Sequence, residues 1–193
     1  ISIIDVSGVP SEITSVVVAV LSRMVFDFAI WSRNEPQRPI LLICEEAHRY
    51  IPRDEDGSSV GRILSRIAKE GRKYGVSLGL ITQRPSDLAE GVLSQCGTIL
   101  AMRLNNDRDQ SFVRAAMPEG ARGFLDSIPA LRNQECIISG EGVAIPIRVR
   151  FDRLEEAKRP ASADPVFSRL WRDVGHESEI IERTIQKWRA QGR

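Results

Sequence analysis

Residues 41–50 read LLICEEAHRY, a short apolar run followed by two adjacent glutamates, Ala47 and His48. With Pro39 and Ile40 in front, the run PILLIC (39–44) predicts a short buried strand that ends at Glu45 and Glu46. Desolvating an unpaired carboxylate costs several kcal/mol, so two of them at the end of a buried strand call for a cation or a reacting water.

Short apolar runs alternate with helical patterns on either side of this stretch. ISIIDVSG (1–8) predicts a strand, and a long helix follows over about 12–32, with Ser11 placed to cap it. Asn34 to Pro39 breaks that helix. PRDEDGSS (52–59) is a polar loop, and SSVGRILSRIAKEGRKY predicts a helix over 58–74 with Gly75 as its C′ residue. VSLGLIT (76–82) predicts a strand ending at Gln83, and TILAMRL (98–104) one ending near Arg103. Between them a short helix is expected over 86–94. Residues 108–131 read as helix broken at Pro118-Glu119-Gly120, and 135–150 as a hairpin around Gly140-Glu141-Gly142. EEAKRPASADP (155–165) is linker-like, and 166–190 carries an amphipathic tail helix with Trp171 and Trp188. The alternation predicts an α/β fold with a mostly parallel sheet flanked by helices, then the C-terminal hairpin and tail helix.

The totals narrow the function classes. A net charge of +1 excludes a generally basic nucleic-acid coat but leaves room for a local basic surface. The three cysteines are scattered and the chain has two histidines, which excludes the usual zinc sites and points to reduced, buried thiols. The apolar stretch 13–31 is interrupted by Ser22, Arg23 and Asp27. A charge at mid-bilayer costs about 2.5–3.5 kcal/mol, so a soluble helix buried on both sides is expected, with no membrane span. The chain opens on Ile1 directly in a strand-like run, which reads as a piece of a longer cytoplasmic protein.

In open parallel sheets, ligands bind beyond the carboxyl ends of the strands. Glu45, Glu46, Gln83 and Arg103 all stand at such ends. An apolar strand ending in Glu-Glu looks like a Walker B motif, in which the first carboxylate holds Mg²⁺ and the second orients or deprotonates the water that attacks a γ-phosphate. Gln83, offering both a donor and an acceptor, suits sensing the γ-phosphate or holding that water.

EEAHRYIP, KEGRKYGVSLGLITQRPSDL and VLSQCGTIL together resemble the HerA–FtsK group of hexameric DNA-pumping ATPases, most closely bacterial HerA-like proteins, over roughly residues 1–154. The resemblance implies a RecA-like P-loop ATPase core, a homohexameric ring with ATP and Mg²⁺ between subunits, double-stranded DNA in the pore, and a nuclease partner in DNA-end processing or defence. It implies Glu45 as the Mg²⁺ carboxylate, Glu46 as the catalytic one and Gln83 as the sensor. It also implies an arginine finger in KEGRKYG, which Arg72 fits better than Arg66 or Lys73. Arg103 and Asp107 would join the interface network. Residues 155–193 would be a linker and helical tail outside the core.

One departure matters: no GxxxxGK[ST] occurs in the chain, so the backbone cradle and the lysine for the phosphates are missing. The family's P-loop strand is central, between strands resembling 76–82 and 98–104. The chain thus reads as the C-terminal part of the ATPase core, with a gap in its sheet or a new pairing of those neighbours, and inactive by itself. A non-catalytic ring-assembly or partner-binding module is the rival reading. EEAH also resembles the DEAH motif of monomeric helicases, but their second-domain arginine motif is absent, and a two-metal hydrolase on Glu45, Glu46 and His48 lacks further ligands. His48 reads either as a polar turn residue or as a phosphate-coupling one. The stripe Arg62, Arg66, Lys69 and Lys73 reads as a solvated helix face, or as a ring or DNA-facing surface.

Overall fold

A computed structural model describes residues 1–32, 39–53, 58–159 and 177–190. The expected helix break at 34–38, most of the linker, Trp171 and the acidic loop residues 54–56 lie outside them. The chain divides into two compact units, Ile1–Asp152 and Arg153–Arg193.

In the first unit, helix α1 (Ser11–Trp31) leads to strand β1 (Ile40–Cys44), and helix α2 (Ser59–Glu70) leads to strand β2 (Val76–Leu80). β1 and β2 pair in parallel, Ile40 opposite Val76 and Cys44 opposite Leu80. Strand β3 (Thr98–Ala101) follows the single-turn helix α3 (Glu90–Leu93). Helices α4 (Asp107–Ala116) and α5 (Arg122–Leu125) then lead to strands β4 (Glu135–Gly140) and β5 (Ile147–Arg150). β3, β4 and β5 form a separate antiparallel sheet in that order.

The fold is α/β with parallel pairing and flanking helices as expected, but among the described strands the parallel pairing is confined to β1 and β2. The hairpin around 140–142 is present, and β3 pairs with its first strand rather than with β2. Residues 1–6 are not a strand, and Ile1, Ile3 and Ile4 are exposed. A strand exists only through a ladder with a neighbour, and no described strand pairs with them.

Sequence periodicity explains α2. Ser58 caps it by accepting the Gly61 N–H at 3.1 Å, and Val60, Ile63, Leu64 and Ile67 are buried along one face. Each such side chain contributes about 1.5–3 kcal/mol on full burial. They pack with Phe26 and Ala29 of α1, Cys44 and Val76 into one core cluster, while Val113, Leu125, Ile128, Leu131 and Ile137 centre a second. Arg62, Arg66, Lys69 and Lys73 are exposed; Arg66 pairs with Glu70 at 3.3 Å and lies over the Phe26 ring at 5.2 Å.

α1 begins at Ser11 with Pro10 in the cap position, so Ser11 is helical rather than the cap. The helix is long and apolar enough to cross a membrane by length and composition. The expectation of burial on both sides fails. Phe26 and Ala29 are buried, but Ile13, Val16, Val20, Met24, Phe28 and Trp31 form an exposed stripe, because no described element lies against that face.

α2 reaches β2 through a 3₁₀ turn, Gly71–Tyr74, and the expected C′ glycine, Gly75, has φ 74°. The Gly75 carbonyl accepts the Ile40 N–H at 2.8 Å, which starts the β1–β2 ladder. In the second unit, helix α6 (Glu177–Arg189) carries Ile181, Ile185 and Trp188 at helical spacing, all exposed.

Gly71 makes the turn into β2 testable. A Cβ there would stand 2.4 Å from the Val76 carbonyl oxygen, a backbone atom that cannot swing away, whereas one at Gly120 meets nothing within 4 Å. In urea denaturation, Gly71→Ala is expected to cost about 1–3 kcal/mol and Gly120→Ala close to nothing. Equal stabilities would contradict this close approach.

Candidate functional site

The two glutamates sit where β1 leaves its ladder. Ile81, just past β2, donates its N–H to the Cys44 carbonyl and accepts the Ala47 N–H, each at 2.9 Å. One residue thus brackets Glu45 and Glu46 from both sides. The chain makes this tight detour by placing Glu46 in the left-handed region, φ 49° and ψ 44°. Ala47 and Ile51, both fully buried, anchor the far side.

Left-handed backbone is costly for a residue with a Cβ, by about 1–2 kcal/mol. Such outliers persist where the surroundings over-determine them. Here they do: Gln83 Nε2 donates to Glu46 Oε1 at 2.8 Å, and His48 Nδ1 lies 3.4 Å from Glu46 Oε2. Each carboxylate oxygen therefore has its own side-chain neighbour. The Glu46 side chain keeps 38% of its surface open and His48 18%, so the carboxylate is held but still accessible. His48 Nδ1 also lies 3.0 Å from Thr82 Oγ1, which accepts the Arg84 N–H at 3.0 Å.

Further contacts fix the loop after Gln83. Its 3₁₀ turn, Pro85–Asp87, gives the Ser86 N–H to Asp109 Oδ1 at 3.0 Å, and Asp109 is 6% exposed. Ala89 N–H donates to the Ile51 carbonyl at 3.1 Å, tying this loop to the segment after β1. Arg53 pairs with Glu90 and lies over the Phe112 ring at 5.8 Å.

The structure thus brings Glu46 and Gln83 together and leaves Glu45 exposed beside them. Arg72, in the turn before β2, and Arg103, past β3 in the other sheet, are exposed, and among the described residues neither side chain has a hydrogen bond or ion pair. Sequence reasoning missed Thr82 and Asp109 and left His48 open between two readings. Thr82 reads as an ordinary strand-end residue and Asp109 as a solvated first-turn acid, so only the tertiary arrangement reveals them.

Among the described residues no group of three or more His, Cys, Asp or Glu side chains is assembled for a metal. A hard cation that keeps most of its waters needs only one or two carboxylates plus substrate oxygens, and the exposed Glu45 carboxylate fits that requirement. The three cysteines are free, and burial pushes the Cys44 thiol up to about 11 and raises Cys96 and Cys136 as well. They are poor nucleophiles and poor metal ligands at neutral pH. Burial also raises the Tyr50 phenol; Cys44 and the two glutamates add to this, and Arg49 opposes it.

The left-handed turn gives a direct test. Comparing Glu46→Gly with Glu46→Ala removes the carboxylate from both sides of the comparison. The glycine variant is expected to be more stable by about 1 kcal/mol in chemical denaturation, because only the alanine keeps a Cβ at φ 49°. Equal stability would mean that the turn relaxes once the carboxylate is gone.

No protein-family model matches the chain. It is 42% identical over 123 residues to the DNA double-strand break repair helicase HerA of Pyrococcus furiosus, a match over 64% of this chain and 22% of that relative. With the HerA of Sulfolobus acidocaldarius it shares 30% identity over 150 residues, 78% of this chain and 30% of that protein. Among solved structures it is similar to VirB4 of Thermoanaerobacter pseudethanolicus, with TM-score 0.60 and 13% identity over 78% of this chain and 40% of that one. The genome packaging NTPase B204 of Sulfolobus turreted icosahedral virus 2, solved with AMPPCP, gives TM-score 0.54 and 16% identity over 71% of this chain and 63% of that one. At those identities the structural likeness speaks for the α/β NTPase fold. By sequence, this chain is a relative of the HerA repair helicases, spanning about a quarter of their length.

Proposed function

We propose that the chain carries the hydrolysing edge of the ATP site of a DNA-translocating ATPase. The observation that carries this reading is Glu46, fixed in a left-handed turn at the carboxyl end of β1 with its Oε1 held at 2.8 Å by Gln83, just past the adjacent parallel strand. Sequence kinship to the HerA helicases supports the helicase class.

In this reading Glu45 is a Mg²⁺ ligand when nucleotide is bound, and the ion's chemistry is to neutralise charge developing on the phosphate oxygens. Glu46 orients and deprotonates the attacking water, as its exposed carboxylate and fixed backbone suit it to do. Gln83 reports on the γ-phosphate, since its amide can leave Glu46 for a phosphate oxygen. Arg72 is the arginine finger toward a neighbouring subunit's nucleotide, and Arg103 belongs to the same subunit interface; their exposure suits both roles. The working assembly is a cytoplasmic homohexameric ring around double-stranded DNA, paired with a nuclease in end processing or defence.

No P-loop sequence occurs in the chain. β2 and β3 are not paired with each other, and each lies at the edge of its own sheet. The resemblance implies a P-loop strand between them, which would pair with the free edge of each.

The exposed apolar surface favours a second reading, in which the chain is a ring-assembly or partner-binding module. Leu41, Ile43 and Ile81 are exposed around β1 and β2, in addition to the stripe on α1.

The isolated chain is expected neither to bind ATP tightly nor to hydrolyse it. Turnover by the purified chain that disappears in Glu46→Gln would contradict the partial-core reading. Mixed with a P-loop-bearing segment of a HerA relative, the chain is expected to restore DNA-stimulated ATPase activity. Association without ATPase activity would favour the module.

A further inference from the structure

Thr82 and His48 stand beside the glutamate without a role in the reading above. The Thr82 hydroxyl has one proton and two lone pairs, and the Arg84 N–H occupies one lone pair at 3.0 Å. Two arrangements with His48 remain, because Nδ1 lies 3.0 Å from Thr82 Oγ1 and 3.4 Å from Glu46 Oε2. In the first, the Thr82 O–H donates to a bare Nδ1. Glu46 Oε2 then faces a nitrogen lone pair, and only Gln83 holds the carboxylate. In the second, Nδ1 carries the proton and donates it to Thr82 Oγ1, and Glu46 Oε2, 3.4 Å from Nδ1, faces the N–H rather than a lone pair.

We propose that Thr82 and His48 are a positioning pair for Glu46, a two-state hydrogen bond that turns toward the second carboxylate oxygen either an N–H, which attracts it, or a lone pair, which frees it. The inference rests on reading Glu46 as the water-activating carboxylate. Gln83 and His48 divide the carboxylate between them, one oxygen each. Release of Oε2 by His48 lets the carboxylate rotate toward a water while the left-handed backbone keeps its root in place. Thr82 sets which arrangement holds, because it either donates its own proton to Nδ1 or accepts the one that Nδ1 carries.

Amide side chains separate positioning from mere packing. An asparagine amide nitrogen stands near the place of Nδ1, whereas a glutamine amide reaches the place of Nε2. In the chain itself, ¹⁵N NMR of the imidazole is read with His176→Gln removing the other histidine's signals. Thr82→Val and Glu46→Gln are each expected to shift the His48 Nδ1 resonance, whereas an Nδ1 unmoved by both overturns the proposal whether or not ATP is hydrolysed.

In the ATPase restored with a P-loop-bearing segment, His48→Ala and Thr82→Val are expected to lower kcat by about 10-fold to 100-fold, with KM for ATP within about twofold. His48→Asn recovers most of the rate, His48→Gln does not, and His48→Ala adds no further loss to Glu46→Gln. Equal losses in His48→Ala and His48→Asn, or a rise in KM at unchanged kcat, overturn the positioning role. Nδ1 coupling together with no hydrolysis by the restored wild-type protein supports the pair's grip on Glu46 and counts against the ATPase reading alone.

Discussion

The site depends on Ile81, whose N–H and carbonyl bracket the two glutamates by bonding Cys44 on one side and Ala47 on the other. With both ends of the detour tied to one residue of the neighbouring strand, the chain between them has few conformations left. Glu46 takes the left-handed one, at a cost of about 1–2 kcal/mol that a glycine would not incur. Keeping a glutamate there makes sense if its carboxylate is needed at that place. The bracket also fixes distances: Gln83 lies two residues beyond Ile81, and so its amide reaches Glu46.

Around this point the protein is organised to keep β1 and β2 in register. α2 buries one face against α1 and the strands, and its exit through Gly71 and Gly75 delivers β2 to its partner, with the Gly75 carbonyl making the first ladder bond. Asp109 holds the loop after Gln83 through the Ser86 N–H, and the Ile51 carbonyl holds the same loop through Ala89. The loops at the strand ends are therefore tied to both core clusters. That rigidity keeps the Glu46 carboxylate within hydrogen-bond distance of Gln83.

Much of this is legible in the sequence, for physical reasons that differ by element. α2 is readable because one apolar face at helical spacing has a capping serine before it and a glycine after it. PILLIC and VSLGLIT are readable as short apolar strands, and the carboxylates at the end of the first point to chemistry. The segment 1–8 is misread because a β-rich composition is not a strand until an edge is available to pair with. The same blindness makes α1 look buried on both sides: apolar composition reports what wants cover, not what provides it. Parallel order fails at β3 because pairing is a long-range property, decided by where β4 returns. His48 and Thr82 are ordinary residues in sequence, and only the left-handed turn brings an imidazole, a hydroxyl and a carboxylate together.

The structure of the ATPase assembled from this chain and a P-loop-bearing segment, determined with a non-hydrolysable ATP analogue and Mg²⁺, tests the central claim most directly. The account predicts the γ-phosphate at the carboxyl ends of β1 and β2, with Glu45 toward the ion and a water between Glu46 and the phosphorus. It also predicts the Gln83 amide turned from Glu46 toward a phosphate oxygen. Nucleotide bound away from these strand ends, with the Gln83–Glu46 hydrogen bond intact at 2.8 Å, would contradict it.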